Sequence, residues 1–503
     1  MQSAPHESKL PECLRPNEAA AQWRTPLDVW DLTTRLEASG VTDTVAKSEF
    51  GFASASAMAE SWLPRVLTYG PPVEAVAPSR PWWREYLDGV SFSLPLLCSC
   101  LSTLWLGFSL WGGSLSDPDA TGVGIGMVLS FLLSGGAVQG MVRRGLFFAG
   151  TLQPAECSAT LRRWAVAGIA FAASGTALLF TASTYWDWLP NYVNVVAALF
   201  SVSLAALWLG AGALHVLKRS LDLAIINAFG IAVVACLYLG FNVPLLNAQL
   251  AAILSCNVAV FFVVSRRLLP GATGLPRIRE IYSLLPFLLY GIAYYALLFG
   301  DRLAAWTAST YSAELAVQFR GDYETSVNLG LAVFILFAGW VHCETGSFYK
   351  EIVLRQRRFS IDQVDPFRED MLRYYWLRLL AFAPAALTIC AVALWIAGQT
   401  SILATPNSLM IATWSIAGFA FLAIGLWNVS LLFAITQASR AALATLAACA
   451  ANITIAYFAS RIGGYSFAVL GFFIGGLLFA ALSGAYVVKS FRSLDYHYFA
   501  AAS

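Results

Sequence analysis

The feature that most constrains this chain is a series of long apolar runs between residues 91 and 488. A run of ~20 apolar residues can cross the hydrocarbon core as an α-helix, because a helix satisfies its own backbone hydrogen bonds. Runs of this kind lie at 91–112, 121–142, 163–184, 191–214, 222–241, 247–264, 282–300, 325–348, 374–397, 408–434, 439–460 and 465–488. The pattern predicts an all-α polytopic membrane protein with about 12 transmembrane helices.

Composition agrees with this interpretation. The chain is 58% hydrophobic and 12% charged, whereas soluble domains carry about 25% charged residues. Its nine cysteines form no CxxC pair and mostly lie in the apolar runs. We therefore interpret them as small core residues, and we predict no disulfide framework, no metal site and no cofactor.

The positions of the basic residues predict an orientation. If the amino terminus is cytoplasmic, the cytoplasmic loops and tail hold twenty lysines and arginines, and the outer loops hold only Arg302, Arg320 and Arg461. This asymmetry is what the positive-inside rule requires, and it places both termini in the cytoplasm. The outer loops also carry seven carboxylates. This excess of carboxylates indicates either that cations are simply depleted from the outer loops or that the outer loops form an exit suited to neutral or cationic material.

The chain divides into four segments. Residues 1–80 form a cytoplasmic amino-terminal region that is partly helical and shows no cleavable signal peptide. Residues 81–267 and 277–489 form two membrane halves of six helices each, and residues 490–503 form a cytoplasmic tail. Six spans in each half give both halves the same orientation, as in transporters built from parallel repeats.

Proline lies early in the first helix of each half, at Pro95 and Pro286. A proline inside a helix removes a backbone hydrogen bond and allows bending. We therefore predict that both residues bend their helices.

No motif of a soluble enzyme is present, and we predict no catalytic residue and no enzymatic activity. Attention falls instead on ionisable residues at membrane depth, because burying a charge there costs roughly 2.5–3.5 kcal/mol on insertion scales. Candidates for a substrate path are Asp301 and Arg302 at the outer end of the seventh span, and His342 and Glu344 near the inner end of the eighth. The alternatives left open are interfacial placement of the first pair and a helix-end ion pair for Glu344.

Tryptophans are common in and around the spans. Most belong to packing or to the interfacial belt, but an indole face can also stack on the apolar face of a sugar ring. We predict that Trp306 and Trp340 contact a sugar.

Several of these residues belong to a wider resemblance. Asp301-Arg302, then Tyr323-Glu324, then the stretch 342–349 (HCETGSFY) resemble the Pel exopolysaccharide membrane transporter family (PelG). That family has an acidic-basic pair ending span 7 and a Glu-Thr-x-x-Phe motif closing span 8 before a basic loop, which here is 355–358. The sequence departs from the family at His342, where arginine is expected.

The resemblance implies membership of the multidrug/oligosaccharidyl-lipid/polysaccharide (MOP) exporter group. It also implies transport of a growing, amino-sugar-rich exopolysaccharide of the kind found in biofilms across the bacterial inner membrane. Expected partners are a cytoplasmic glycosyltransferase, small inner-membrane proteins, the polysaccharide and the lipid bilayer, but no nucleic acid.

Two alternatives remain. One is a gradient-driven flippase for lipid-linked oligosaccharide, or a drug exporter. This alternative requires a carboxylate deep in a span of the first half. The only carboxylate between residues 121 and 186 is that of Glu156, which lies in a cytoplasmic loop. The other alternative is a membrane scaffold that recruits a glycosyltransferase through residues 1–80 and the 350–373 loop.

Overall fold

The computed structural model of the chain contains two compact units, Met1–Pro81 and Trp82–Ser503. Within them the structure describes residues 28–38, 40–69, 81–92, 94–151, 153–270, 275–308, 317–356, 359, 363–399, 405–494 and 496. Most of the predicted tail, the first 27 residues and two arginines of the 355–358 loop therefore lie outside the described residues.

The first unit contains three short helices: α1 (Val29–Ala38), α2 (Asp43–Glu49) and α3 (Ala55–Tyr69). Thr42 caps α2, because its side chain accepts a hydrogen bond from Val45 N. Leu32 and Leu36 of α1 pack with Met58 of α3 in a small buried core. The helical spacing of apolar residues in this region thus produces a packed unit with its own hydrophobic core.

The second unit contains eleven helices that are long and apolar enough to cross a membrane, counted over the described residues. They are α6 (Asp117–Gly150), α7 (Pro154–Tyr185), α8 (Asn191–Val216), α9 (Ser220–Ala235, extended by a π-turn to Gly240), α10 (Leu245–Ser265), α11 (Ile278–Trp306), α12 (Gly321–Gln356), α13 (Val364–Gly398), α14 (Pro406–Ala434), α15 (Ala438–Ile462) and α16 (Val469–Phe491). Each coincides with one predicted run, and the all-α multi-span fold is confirmed.

The surface of this unit is that of a protein in lipid. Large apolar side chains point outward, including Leu178 and Phe261, each 74% exposed. Polar residues such as Asn428 and Asn452 are fully buried. Because amides are costly in hydrocarbon, this inversion of the usual pattern is expected when the solvent is a bilayer.

The first predicted run, 91–112, coincides with two helical stretches, α4 (Trp82–Phe92) and α5 (Leu94–Leu106). They lie on either side of residue 93, which is outside the described residues. Pro95 lies in α5. Pro286 lies inside α11, which continues through it. That the two prolines bend their helices stays a prediction.

Helix pairing is similar in the two sets of spans. α6 packs most extensively on α8, and its counterpart α12 packs on α14. Likewise α5 contacts α9, and α11 contacts α15. We call the end of the bundle at which α6 begins the acidic end, and the end at which it stops, near Gly150, the basic end.

The two sets meet along α6 and α11, where glycines bring the backbones together. A Cβ added at Gly291 would lie 2.8 Å from the carbonyl carbon of Gly135. Near the basic end, Trp164 of α7 also donates a 2.8 Å hydrogen bond to Glu280 of α11. Small residues at a crossing allow this close approach between membrane helices.

Replacing Gly291 by alanine is expected to destabilise the protein by about 1–3 kcal/mol, because the new methyl group forces α11 away from α6. Gly150→Ala is the matched control, since a Cβ added at Gly150 would have no atom within 4 Å. Unfolding in denaturing detergent, followed by tryptophan fluorescence, measures both. Equal stability of the two variants would contradict the tight seam.

Candidate functional site

A buried ion pair joins the last turns of α11 to the first turn of α12 at the acidic end. Arg302 Nη1 donates to Glu324 Oε2 at 2.5 Å. The two residues are 2% and 5% exposed. Arg302 Nη1 also lies 3.3 Å from Asn328 Oδ1. Attraction between buried opposite charges is strong, so this pair fixes how α11 and α12 meet.

Three further side chains complete this network. Tyr323 Oη donates to Asp301 Oδ2 at 2.6 Å, and Trp306 Nε1 donates to Glu324 Oε1 at 3.1 Å. We call Asp301, Arg302, Trp306, Tyr323 and Glu324 the acidic-end cluster. Two sequence pairs that lie some twenty residues apart, 301–302 and 323–324, are thereby brought into one site.

The acidic-end cluster has more carboxylates than cations. Asp301 and Glu324 face one guanidinium, so the ionised cluster carries one surplus negative charge. Asp301 Oδ1 and Arg302 Nε and Nη2 are buried and have no hydrogen-bond partner within the described residues. A carboxylate with a free buried oxygen can accept a proton, which would remove the surplus charge.

The cluster also lies at the contact between the two sets of spans. Phe319, just before α12, packs on Trp306 with ring centroids 5.4 Å apart. Its backbone N–H donates to Thr121 of α6 at 3.1 Å, and Gln318 Nε2 reaches Asp117 Oδ2 at 3.5 Å. The acidic end of the seam is therefore closed next to the cluster.

A second charged site lies toward the basic end of α12. Arg378 of α13 donates to Glu344 Oε1 at 3.3 Å, and Glu344 Oε2 is buried without a hydrogen-bond partner within the described residues. Lys350 pairs instead with Glu85 of α4. Glu344 is only 3% exposed, whereas the Arg378 side chain is 39% exposed, so the ion pair lies at the edge of the packed interior.

The predicted path residues thus fall into two groups. Asp301, Arg302 and Trp306 lie at the acidic end, whereas Trp340, His342 and Glu344 lie about 24–30 Å farther along α12, at 1.5 Å per residue from Glu324. The structure does not bring the two groups together. A path that used both would have to run along most of the length of α12.

The two predicted sugar-binding tryptophans are engaged in protein contacts. Trp306 is 1% exposed. Trp340 stacks on Phe382, with centroids 4.0 Å apart, and lies 5.2 Å from Trp427. His342 is exposed and lies beside Gly89 of α4. Sugar contact by either tryptophan requires a conformation in which these partners separate.

An aromatic array that we did not predict crosses between the two sets of spans. Phe131 of α6 stacks on Trp208 of α8 at 4.4 Å and on Tyr295 of α11 at 4.8 Å. The half-buried Tyr294 and Tyr295 have hydroxyls without a hydrogen-bond partner in the described part of the chain. A sequence signal existed, since the Tyr294-Tyr295 pair interrupts an apolar run, but the facing residues could not be identified without the fold.

Among the described residues, no group of three or more His, Cys, Asp or Glu side chains is arranged to hold a metal ion.

Comparisons with known proteins show the fold. No protein-family model and no curated protein sequence matches the chain. Its structure is similar to that of a MATE P26A mutant (TM-score 0.57, 12% identity, 84% of this chain and 100% of the other). It is also similar to an outward-facing multidrug resistance MATE family transporter of the MOP superfamily (TM-score 0.56, 13% identity, 84% and 99%).

A third similar structure is a MOP superfamily transporter from Pyrococcus furiosus (TM-score 0.56, 13% identity, 84% and 99%). Each of these three likenesses covers 84% of this chain. The chain is a multi-pass membrane protein with the fold of MATE and other MOP superfamily transporters.

Proposed function

We propose that this protein carries a growing exopolysaccharide, Pel-like and rich in amino sugars, across the bacterial inner membrane. The observation that carries the proposal is the acidic-end cluster. The residues that resemble the Pel transporter family, Asp301, Arg302, Tyr323 and Glu324, form one buried network at the contact between the two sets of spans. The MOP transporter fold supports transport of a substrate between those sets.

The aromatic array supports a sugar as that substrate. Tyr294 and Tyr295 lie near the middle of α11 and offer hydroxyls with no protein partner in the described residues. Hydroxyls and aromatic faces are the two groups that recognise a pyranose, whose edge is polar and whose face is apolar. A polymer passing between α6 and α11 would meet both.

The proposed orientation follows from the charges. The basic end of the bundle holds the arginine-rich loops, so it faces the cytoplasm, and both termini lie on that side. In this orientation the acidic-end cluster is at the outer face. The Glu344–Arg378 pair is then near the cytoplasmic entrance.

The first unit is the proposed binding site for a cytoplasmic glycosyltransferase. Residues 28–69 form their own packed core and are separate in the chain from the membrane helices. Small inner-membrane proteins of the same synthase complex are the other proposed partners. In this view the synthase supplies the polymer directly to the path.

Deleting residues 1–80 is expected to abolish copurification of the glycosyltransferase while the remaining chain still inserts and folds, because the two units have separate cores. Pull-down from detergent-solubilised membranes measures binding, and size-exclusion chromatography checks folding. As a control, Leu32→Asp should have the same effect, since it places a charge in the core of the first unit. Unchanged copurification of both variants would contradict recruitment by this unit.

The acidic-end cluster also favours a second candidate, a gradient-driven flippase for lipid-linked oligosaccharide or a drug exporter, with its carboxylates in the second half of the chain rather than in the first. Its surplus negative charge gives it the means to bind and release a proton. A protonophore distinguishes the candidates: it stops gradient-driven transport at once, whereas export driven by elongation continues while precursor sugars last.

A further inference from the structure

Three aromatic side chains project from the turn that joins α7 to α8 at the acidic end. Trp186 and Trp188 are stacked, with ring centroids 5.2 Å apart and ring planes 20° apart. Tyr185 meets Trp186 edge to face at 5.6 Å. Despite these contacts, Tyr185, Trp186 and Trp188 are 81%, 58% and 53% exposed. They form one exposed aromatic surface, which we call the aromatic platform.

The turn that carries the aromatic platform is held by hydrogen bonds. Trp188 N donates to the carbonyl oxygen of Ser183 at 3.0 Å, and Asp187 between the two indoles has a φ of 50°. This left-handed conformation often closes an α-helix. Asn194 of α8 is buried and accepts a 2.9 Å hydrogen bond from Ser183 Oγ, while its Nδ2 donates to the carbonyl oxygen of Leu189 at 3.2 Å. The platform is thus preorganised, which lowers the entropy cost of binding a ligand.

The aromatic platform lies outside the hydrocarbon layer. Trp186 follows Arg163 by 23 residues, about 35 Å along a helix, and the hydrocarbon core is about 30 Å thick. Because Arg163 is costly to place in hydrocarbon, the platform reaches the headgroups on the opposite side. Single tryptophans at this level anchor helices. Trp395 of α13 fits that role, since it is 68% exposed and stacks on no ring in the described part of the chain.

The charges near the aromatic platform are negative. The acidic-end turns of the first set, residues 107–120, 186–193 and 241–245, contain aspartates but no lysine or arginine. Asp119 at the start of α6 accepts a hydrogen bond from Tyr192 at the start of α8, which brings this carboxylate close to the turn. Carboxylates beside an aromatic surface suit a ligand that has apolar faces and carries positive charge.

We propose that the aromatic platform binds sugar residues of a cationic, amino-sugar polysaccharide at the outer face of the membrane. The inference rests on the proposed function, in which the polymer emerges at the acidic end. The indoles stack on the apolar faces of the sugar rings, and the carboxylates attract the ammonium groups. Binding there holds the emerged chain at the exit and opposes its return into the path.

Calorimetric titration with a soluble sugar tests the aromatic platform without any transport. The protein in lipid nanodiscs is titrated with a tetramer of β-1,4-linked glucosamine, at a mildly acidic pH at which the amines are charged. Trp186→Ala and Trp188→Ala should each weaken binding about two- to tenfold, the usual contribution of one aromatic contact. Trp188→Tyr should keep most of the affinity, because it keeps an aromatic face. Trp395→Ala is the matched control and should bind as the wild type does.

The N-acetylated tetramer separates stacking from charge. It has the same rings without the ammonium groups, so it should bind more weakly, depend on Trp186 and Trp188, and be insensitive to salt. Binding of the charged tetramer should weaken at high salt, which screens the carboxylates. If the wild type binds neither tetramer, or if Trp395→Ala weakens binding as much as Trp186→Ala and Trp188→Ala do, the platform is only an interfacial anchor and the proposal is wrong.

A different result decides the proposed function. Cells from which the whole chain has been deleted should secrete no amino-sugar polymer. If secretion continues in those cells while the purified protein binds the tetramer through Trp186 and Trp188, the platform is confirmed and the proposed function fails. If secretion stops but the two alanine variants bind the tetramer as the wild type does, the platform fails and the proposed function stands.

Discussion

Replacing Arg302 by methionine is expected to cost about 3–5 kcal/mol of unfolding free energy, because it leaves the Glu324 carboxylate buried and unpaired. The side chains of the pair are 2% and 7% exposed, so water cannot screen the remaining charge. Methionine fills a similar volume, which limits the effect of a cavity. Unfolding in denaturing detergent, followed by fluorescence, gives the free energy.

The double variant Arg302→Met/Glu324→Gln is the decisive control. The double variant removes the unpaired charge at position 324 and leaves Asp301 as the only carboxylate of the cluster, so it should recover part of the lost stability. Arg35→Met provides a surface comparison, since its ion pair with Asp31 is partly exposed and is worth about 0–1 kcal/mol. A loss of stability from Arg302→Met no larger than that from Arg35→Met would show that the buried pair is unimportant.

Asp301→Asn and Glu344→Gln are each expected to abolish polymer export while the protein level stays normal. Asparagine at 301 can still accept the hydrogen bond from Tyr323, and glutamine at 344 can still accept the one from Arg378. Each change thus preserves the local contacts and removes only a negative charge. Secreted polymer, measured together with the amount of protein in the membrane, separates loss of function from loss of fold.

Two matched controls accompany this experiment. Asp187→Asn removes an exposed carboxylate at the acidic end, in the turn between α7 and α8. Glu351→Gln removes a partly exposed carboxylate on α12 beyond Glu344, where it pairs with Arg355. Both controls should export normally. Normal secretion by Asp301→Asn and Glu344→Gln would show that neither residue belongs to the path.

The acidic-end cluster shows where prediction from sequence reached its limit. The residue types and their places near span ends identified Asp301, Arg302 and Glu344 as candidates. The pairing of Arg302 with Glu324, and of Glu344 with Arg378, required the fold, because the partners lie 22 and 34 residues away. The sequence also could not show that Trp340 stacks on Phe382, because that contact depends on how the helices pack.

The sequence alone determined that the chain crosses the membrane many times and where most of the helices lie. Lipid offers no hydrogen bonds, so the backbone groups of each apolar run must bond to one another within a local helix. The length of each helix therefore follows from the length of its apolar run. Only the tertiary structure decided which helices pack together, for example that α4, from the first predicted span, packs on α12 of the second set. That outcome depends on close contacts such as Gly89 against Gly339. The apolar periodicity of one helix does not show the shape of the helix beside it.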